Sequence, residues 1–318
     1  MIADSGSSGF MVEPHFTYHG FRYIEVTGFP GEPQLTDFVG RVAHTDTPMT
    51  GKFESDNKLL NRLWLNVLWS QKGNIWSIPT GCPQRSERLS WMGDAAVMVH
   101  TTCYNADVAA INSKWLRDVR EAIGNGHFSL ISPRFGEFSD ASPAWGDAGV
   151  IVPYHIWRMF GDKQILEVSY ESMKTWIGVI QSTNPDFLWN KSVFANFGDW
   201  LEINAQTPKD VFDTCFFGYD ALLMTKMAGA LNRTDDMKMY TELHTNISNA
   251  FTKAFVNTTD GKIKGDTQAV YVLALAFELL PENLRPLAVN HLVDNIKAHD
   301  YHYTNGFISN MMTIITII

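Results

Sequence analysis

Residues 55–71 read SDNKLLNRLWLNVLWSQ, and they divide the chain in two. Leu59, Leu60, Leu63, Trp64, Val67 and Leu68 recur at helical spacing behind a Ser or Asp suited to capping, which predicts an amphipathic helix with one apolar face. Upstream the period is different. Residues 14–46 are rich in β-branched and aromatic side chains and are broken by Gly20, Gly28, Pro30, Gly31 and Pro33. Within them FRYIEVTGF (21–29) alternates large and polar residues, which reads as strand. Downstream the helical period returns at about 93–104, 106–123, 147–161, 163–181, 211–230, 235–256, 266–280 and 284–298. Strands followed by helices, without β–α alternation, predict the end of a β domain over 1–50 and a helical domain over 51–318. Antiparallel hairpins closed into a toroid fit better than a repeat solenoid, because no period of fixed length is present.

Composition narrows the function. Of 318 residues, 45% are hydrophobic and 19% charged, enough to build a large core. A formal charge of -9 without a basic run argues against nucleic acid or an anionic membrane surface as partner. No apolar run has the length of a membrane span. Cys82, Cys103 and Cys215 share no ligand spacing and the histidines form no HExxH, so neither a disulfide framework nor a metal site is expected. The opening MIADSGSSGF carries no leader pattern, and the compartment stays open. Ten Trp favour a ligand with apolar faces to stack on, such as a sugar.

Three long loops, near 80–94, 124–146 and 182–210, hold the candidate chemistry. TGCPQRSERLSWMGD (80–94) supplies Arg85, Glu87, Arg88, Trp91 and Asp94. A helix starting near Ser86 would put Glu87, Trp91 and Asp94 on one face. SPAWGDAG (142–149) supplies Trp145 and Asp147, and FGDWLE (197–202) supplies Asp199, Trp200 and Glu202. Each loop therefore sets a Trp beside a carboxylate. Indole faces stack on the apolar side of a pyranose, carboxylates accept from its hydroxyls, and a protonated carboxyl donates to a glycosidic oxygen. Two plainer readings compete: Asp94 and Asp147 as helix caps, and Glu87 as the ion-pair partner of Arg85 and Arg88.

The segments TGCPQRSERLSWMGDA (80–95), SPAWGDAGVIVPYHIWRMFGD (142–162) and FGDWL (197–201) together resemble bacterial-type α-L-rhamnosidases of glycoside hydrolase family 78. PHFTYHGFRYIEVTG (14–28) is similar to the end of that family's β-sandwich domain, and the resemblance runs from about 14 to 308. It implies a mainly α fold, an (α/α)6 six-hairpin barrel preceded by β-sandwich strands. It also implies inverting hydrolysis of terminal α-L-rhamnose from a rhamnose-containing glycoside, with no cofactor. Carried over by position, Glu87 matches the general acid and Asp94 a carboxylate holding the rhamnose hydroxyls. Arg85 contacts sugar or fixes the carboxylates, while Trp91, Trp145 and Trp200 form the aromatic wall. Asp147 and Asp199 are further substrate-binding candidates that alternatively support the loops. Three departures stand out. Gly81 replaces an Asp of the family pattern, and Ser86 stands where Asp is common. The family's general base lies beyond a TGF motif, whereas here TNGF (304–307) leads only into ISNMMTIITII. The barrel is therefore expected to lack its last helices and its base, and the chain alone to be nearly inactive. A non-catalytic rhamnoside-binding module or inactive paralogue, and another six-hairpin glycosidase, are the alternatives.

Overall fold

In the structure, a computed structural model, residues 12–136, 142–191, 196–310 and 312 are described. The leading MIADSGSSGF, residues 137–141 and 192–195 of the two later loops, and most of the terminal MMTIITII lie outside them. Helix α1 (Lys58–Asn74) forms where the apolar spacing predicts it. Its cap is Asn57 rather than Ser55 or Asp56: the Asn57 side chain accepts from the N–H groups of Leu59 and Leu60. Ser55 is instead tied to Asn61, whose side-chain amide returns a bond to the Ser55 carbonyl at 2.7 Å.

Among the described residues eight helices follow: α2 (Met92–Asn105), α3 (Ala109–Glu121), α4 (Ala148–Phe160), α5 (Lys163–Thr183), α6 (Lys209–Ala230), α7 (Thr234–Phe255), α8 (Gln268–Ala276) and α9 (Arg285–Ala298). A further helical turn opens at Phe307. Every helix expected from periodicity is present within a few residues. Their packing alternates. α2 lies on α4, α4 on α6 and α6 on α8, while α5, α7 and α9 each pack back on the helix before them. Side-chain pattern explains this. α8, QAVYVLALA, is apolar all round and is buried from Gln268 to Ala274, as a helix lacking a polar face must be. α7 carries one stripe, Tyr240, Leu243, Ile247, Phe251 and Phe255, and keeps its other face in water. Even-numbered helices thus form an inner arc and odd-numbered ones an outer arc, the layering of an (α/α) barrel.

One expectation is not met. The strands expected over 14–46 do not form: among the described residues this segment holds only a 3-10 turn at Leu35–Asp37, and most of its side chains are exposed. Alternation makes a strand only when a neighbour supplies the ladder, and no described segment pairs with it. The first half of the apolar face of α1 is open, with Leu59 at 80% and Leu63 at 58% exposure, while its second half meets α2: Leu68 is buried, and Trp64 donates to Asn105 at 3.3 Å.

Candidate active site

The loops that open onto the inner helices α2, α4 and α6 converge, so the site gathers at the N-terminal ends of those helices. In the first loop, α2 begins only at Met92, with Trp91 extended as its N-cap. The helix expected from Ser86, and the shared helical face argued from it, are therefore absent. Glu87 and Trp91 still meet. Cys82 and Arg88 take left-handed φ values of 44° and 50°, reversing the loop twice. Trp91 Nε1 then donates to Glu87 Oε1 at 2.7 Å. Arg85 donates to Glu87 Oε2 and reaches Cys82 Sγ at 3.4 Å. Arg88 does not pair with Glu87. It donates to the Tyr18 carbonyl at 2.7 Å, with its guanidinium 4.3 Å from the centre of the Tyr18 ring, which stacks on Trp76. Gly81, at φ 57°, sits where any side chain is strained, and an added Cβ would come within 2.9 Å of the Leu89 carbonyl oxygen. Glycine at this family Asp position therefore suits the observed turn.

Asp94 lies in the first turn of α2. Burial pushes its carboxyl up to about 6, and the charge of Glu87 adds to the rise against the opposing backbone hydrogen bond. Over the same turn lies the buried ring of Trp145. An added Cβ at Gly93 would come 2.7 Å from that ring, so the indole reaches α2 only because residue 93 has no side chain.

Phe197 joins the three indoles. Its ring centre is 4.9 Å from that of Trp145, 5.7 Å from Trp200 and 6.4 Å from Trp91. Each such pair contributes about 0.5–1.5 kcal/mol beyond area burial. Phe197 was not among the expected site residues, although it is the first letter of the FGDWLE motif. Its signal was an aromatic directly ahead of Gly-Asp-Trp. Trp200 is half exposed, and Phe307 closes the far side of Trp145 at 6.0 Å.

The carboxylates divide into two kinds. Glu87 bonds Trp91 of the wall, and Asp94 follows Gly93, on which Trp145 packs, and feels the charge of Glu87. Asp147 and Asp199, expected as substrate-binding residues, are buried with their oxygens taken by protein donors. Asp199 accepts from Gly306 N at 2.7 Å, Ser309 N at 3.1 Å and Ser309 Oγ at 2.6 Å. With the Phe307 N–H bonded to the Trp200 carbonyl, this fastens the TNGF segment to the Trp200 loop. Burial raises the Asp199 carboxyl, and these three donors oppose the rise. Asp147 accepts from Ala144 N at 2.6 Å and Trp176 Nε1 at 2.8 Å. Glu202 accepts from Thr207 N and closes its own loop. Surface hollows of about 370 Å³ beside Phe255, Lys262 and Asp266, and about 310 Å³ beside Asp46, Asp107 and Lys114, lie elsewhere. Neither contains a Trp beside a carboxylate, so the chemistry of the indole wall outweighs their size.

A helical barrel with carboxylates and indoles gathered where loops meet its inner helices is the layout of a six-hairpin glycosidase domain. Residues 48–317 match the family model of the bacterial alpha-L-rhamnosidase six-hairpin glycosidase domain, and residues 1–44 match that of the bacterial alpha-L-rhamnosidase concanavalin-like domain. The chain belongs to the bacterial α-L-rhamnosidase family. It is 42% identical over 297 residues to an alpha-L-rhamnosidase of Streptomyces avermitilis, which covers 93% of this chain and 28% of the relative. The crystal structure of Streptomyces avermitilis alpha-L-rhamnosidase complexed with L-rhamnose superposes with a TM-score of 0.92 at 41% identity, covering 96% of this chain and 29% of that one. Native rhamnosidase from Aspergillus terreus superposes at 0.90 with 33% identity, over 96% of this chain and 37% of that one. The chain thus spans about a third of the length of the relatives it matches.

Proposed function

We propose that residues 1–50 are the C-terminal part of a β-sandwich domain and 51–318 a six-hairpin catalytic domain that carries the general acid of an inverting α-L-rhamnosidase site. Glu87 is the general acid, Asp94 and Arg85 hold the sugar hydroxyls, and Trp91, Trp145 and Trp200 form the wall on which the ring stacks. The observation that carries this reading is the junction at Phe197, where three indoles from three loops meet next to the Glu87–Trp91 hydrogen bond. A wall of this kind suits a deoxy sugar, whose methyl group adds apolar surface to the ring. Glu87 delivers a proton only when Arg85 moves off its Oε2. That ion pair is open to solvent on the arginine side, so an incoming hydroxyl replaces it at small cost. Inversion needs a second carboxyl about 6.5–9.5 Å from the first, with a water between. Asp147 and Asp199 are spent on loop contacts and do not serve as that base.

The first test is titration of the chain with L-rhamnose, read by tryptophan fluorescence and calorimetry. Saturable binding that Trp145→Ala and Asp94→Ala weaken supports the site. The second is hydrolysis of aryl α-L-rhamnosides by a protein with measurable turnover. Glu87→Gln should lower turnover about 10²–10⁴-fold for poor leaving groups and much less for activated ones, because these need little protonation. Equal losses for both classes would remove Glu87 from the acid role. A rhamnoside-binding module without catalysis is the second reading, favoured by the engagement of both Glu87 oxygens with donors. Binding unaffected by Glu87→Gln, with no turnover in the parent, supports it.

A further inference from the structure

Behind the Trp145 wall two carboxylates meet with no cation between them. Asp147, just ahead of α4, and Asp220, within α6, are both fully buried. Trp176 of α5 gives its single indole N–H to both, at 2.8 Å to Asp147 Oδ1 and 3.1 Å to Asp220 Oδ2. The two carboxyls lie within hydrogen-bonding reach of each other. Among the described residues neither takes part in an ion pair. Among the described residues Asp213 and Tyr219 of α6 and Tyr240 of α7 feel the charge of the pair and supply no positive charge, and the His127 ring lies 6.3 Å from that of Trp176. Among the described residues Asp220 Oδ1 accepts no hydrogen bond.

Two ionised carboxylates in this setting would repel each other after losing their hydration, with only the shared Trp176 N–H and the Ala144 N–H in return. A single proton removes both penalties, because it converts a repelling pair of acceptors into a donor and an acceptor. We propose that Asp147 and Asp220 hold one proton between them at neutral pH, and that Asp220, as the donor, is a positioning residue for Trp145. The ionised Asp147 then accepts three donors: the Asp220 hydroxyl, the Trp176 indole and the Ala144 N–H. The last contact is the one that matters for the site. Ala144 is buried at a left-handed φ of 69°, which a residue with a side chain adopts only when its surroundings hold it there. The turn it makes, closed by the N–H groups of Trp145 and Gly146 on the Ser142 carbonyl, throws the Trp145 ring across Gly93. Burial raises both carboxyls; Asp147 already accepts from Ala144 N and Trp176 Nε1 whereas Asp220 accepts only the shared indole, which leaves the proton on Asp220. The functional importance of this pair rests on the reading of Trp145 as part of the sugar wall. The test reads the proton and the loop rather than the sugar, so the two ideas fail separately.

Infrared difference spectra at neutral pH between the parent chain and Asp220→Asn should show the carboxylic-acid carbonyl band of the parent disappearing in the variant. An Asn at 220 keeps the donor to Asp147 and the acceptor for Trp176, so its melting temperature should stay within about 2 °C of the parent, with the near-ultraviolet circular dichroism retained. Asp220→Ala leaves Asp147 without that donor and should melt about 6 °C or more lower, with altered tryptophan dichroism. No loss of the acid band in Asp220→Asn, or equal damage from Asn and Ala, would overturn the proposal.

Discussion

Replacing Asp94 by Asn tests the electrostatics of the site while leaving its shape almost unchanged. In the folded chain the Asp94 carboxyl keeps its proton up to about 6, against an ordinary value of 3.8. Between those pH values the folded chain holds a proton that the unfolded chain has already released. Folded stability therefore falls as pH rises from about 4 to about 6, and the whole loss is present above that window. A displacement of about two units corresponds to about 3 kcal/mol, and partial solvent access reduces the expected figure to about 2–3 kcal/mol. Asn cannot ionise and resembles the protonated acid. The variant should match the parent near pH 4 and exceed it by about 2–3 kcal/mol at pH 7, a gain of about 3–5 °C in melting temperature. Thermal unfolding of both proteins across this range, in one buffer series at fixed ionic strength, measures the difference directly. Burial is the larger cause of the rise and Glu87 the smaller, so Glu87→Gln should shallow the parent's slope without abolishing it. Parallel stability curves for parent and Asp94→Asn through the window would refute the reasoning, since the carboxyl would then titrate alike in both states. The expected gain in stability at the expense of ligand binding is the trade common to charged groups stored in binding sites.

Three further outcomes are expected. Asp199→Ala strands three donors of the 306–309 segment and should cost about 3–5 kcal/mol, read as lost hydrogen-exchange protection at Gly306 and Ser309 together with a lower melting point; unchanged protection there would show that the carboxylate is not the fastener. Gly93→Ala drives a methyl group into the Trp145 ring and should destabilise by about 1–3 kcal/mol with a changed tryptophan emission, whereas a silent substitution would place the ring elsewhere. Arg88→Ala removes a charged donor and a stacked guanidinium from Tyr18, so residues 18–20 should become more accessible to proteolysis while Arg88→Lys preserves part of the contact; equal cleavage of all three proteins counts against the clamp.

How much of this was legible in the sequence depends on the range of the interactions involved. Helix positions followed from spacing within each segment, because a helix satisfies its backbone from residues four apart and signals its start with a nearby cap. The stripe of α7 and the all-apolar run of α8 agree with the arc that each joins. The family motifs located the three loops, since each is a contiguous run of residues. Tertiary structure alone decided what the carboxylates do. Asp94, Asp147 and Asp199 look alike in sequence, each following glycine. Only donors brought from residues 176, 306 and 309 turn the last two inward. Phe197 became the centre of the site because three loops happen to end on its ring, which no single segment records. The strand pattern of 14–46 misled for the same reason. Periodicity states which side chains want a partner, but a ladder or a packed face exists only where another part of the fold supplies one.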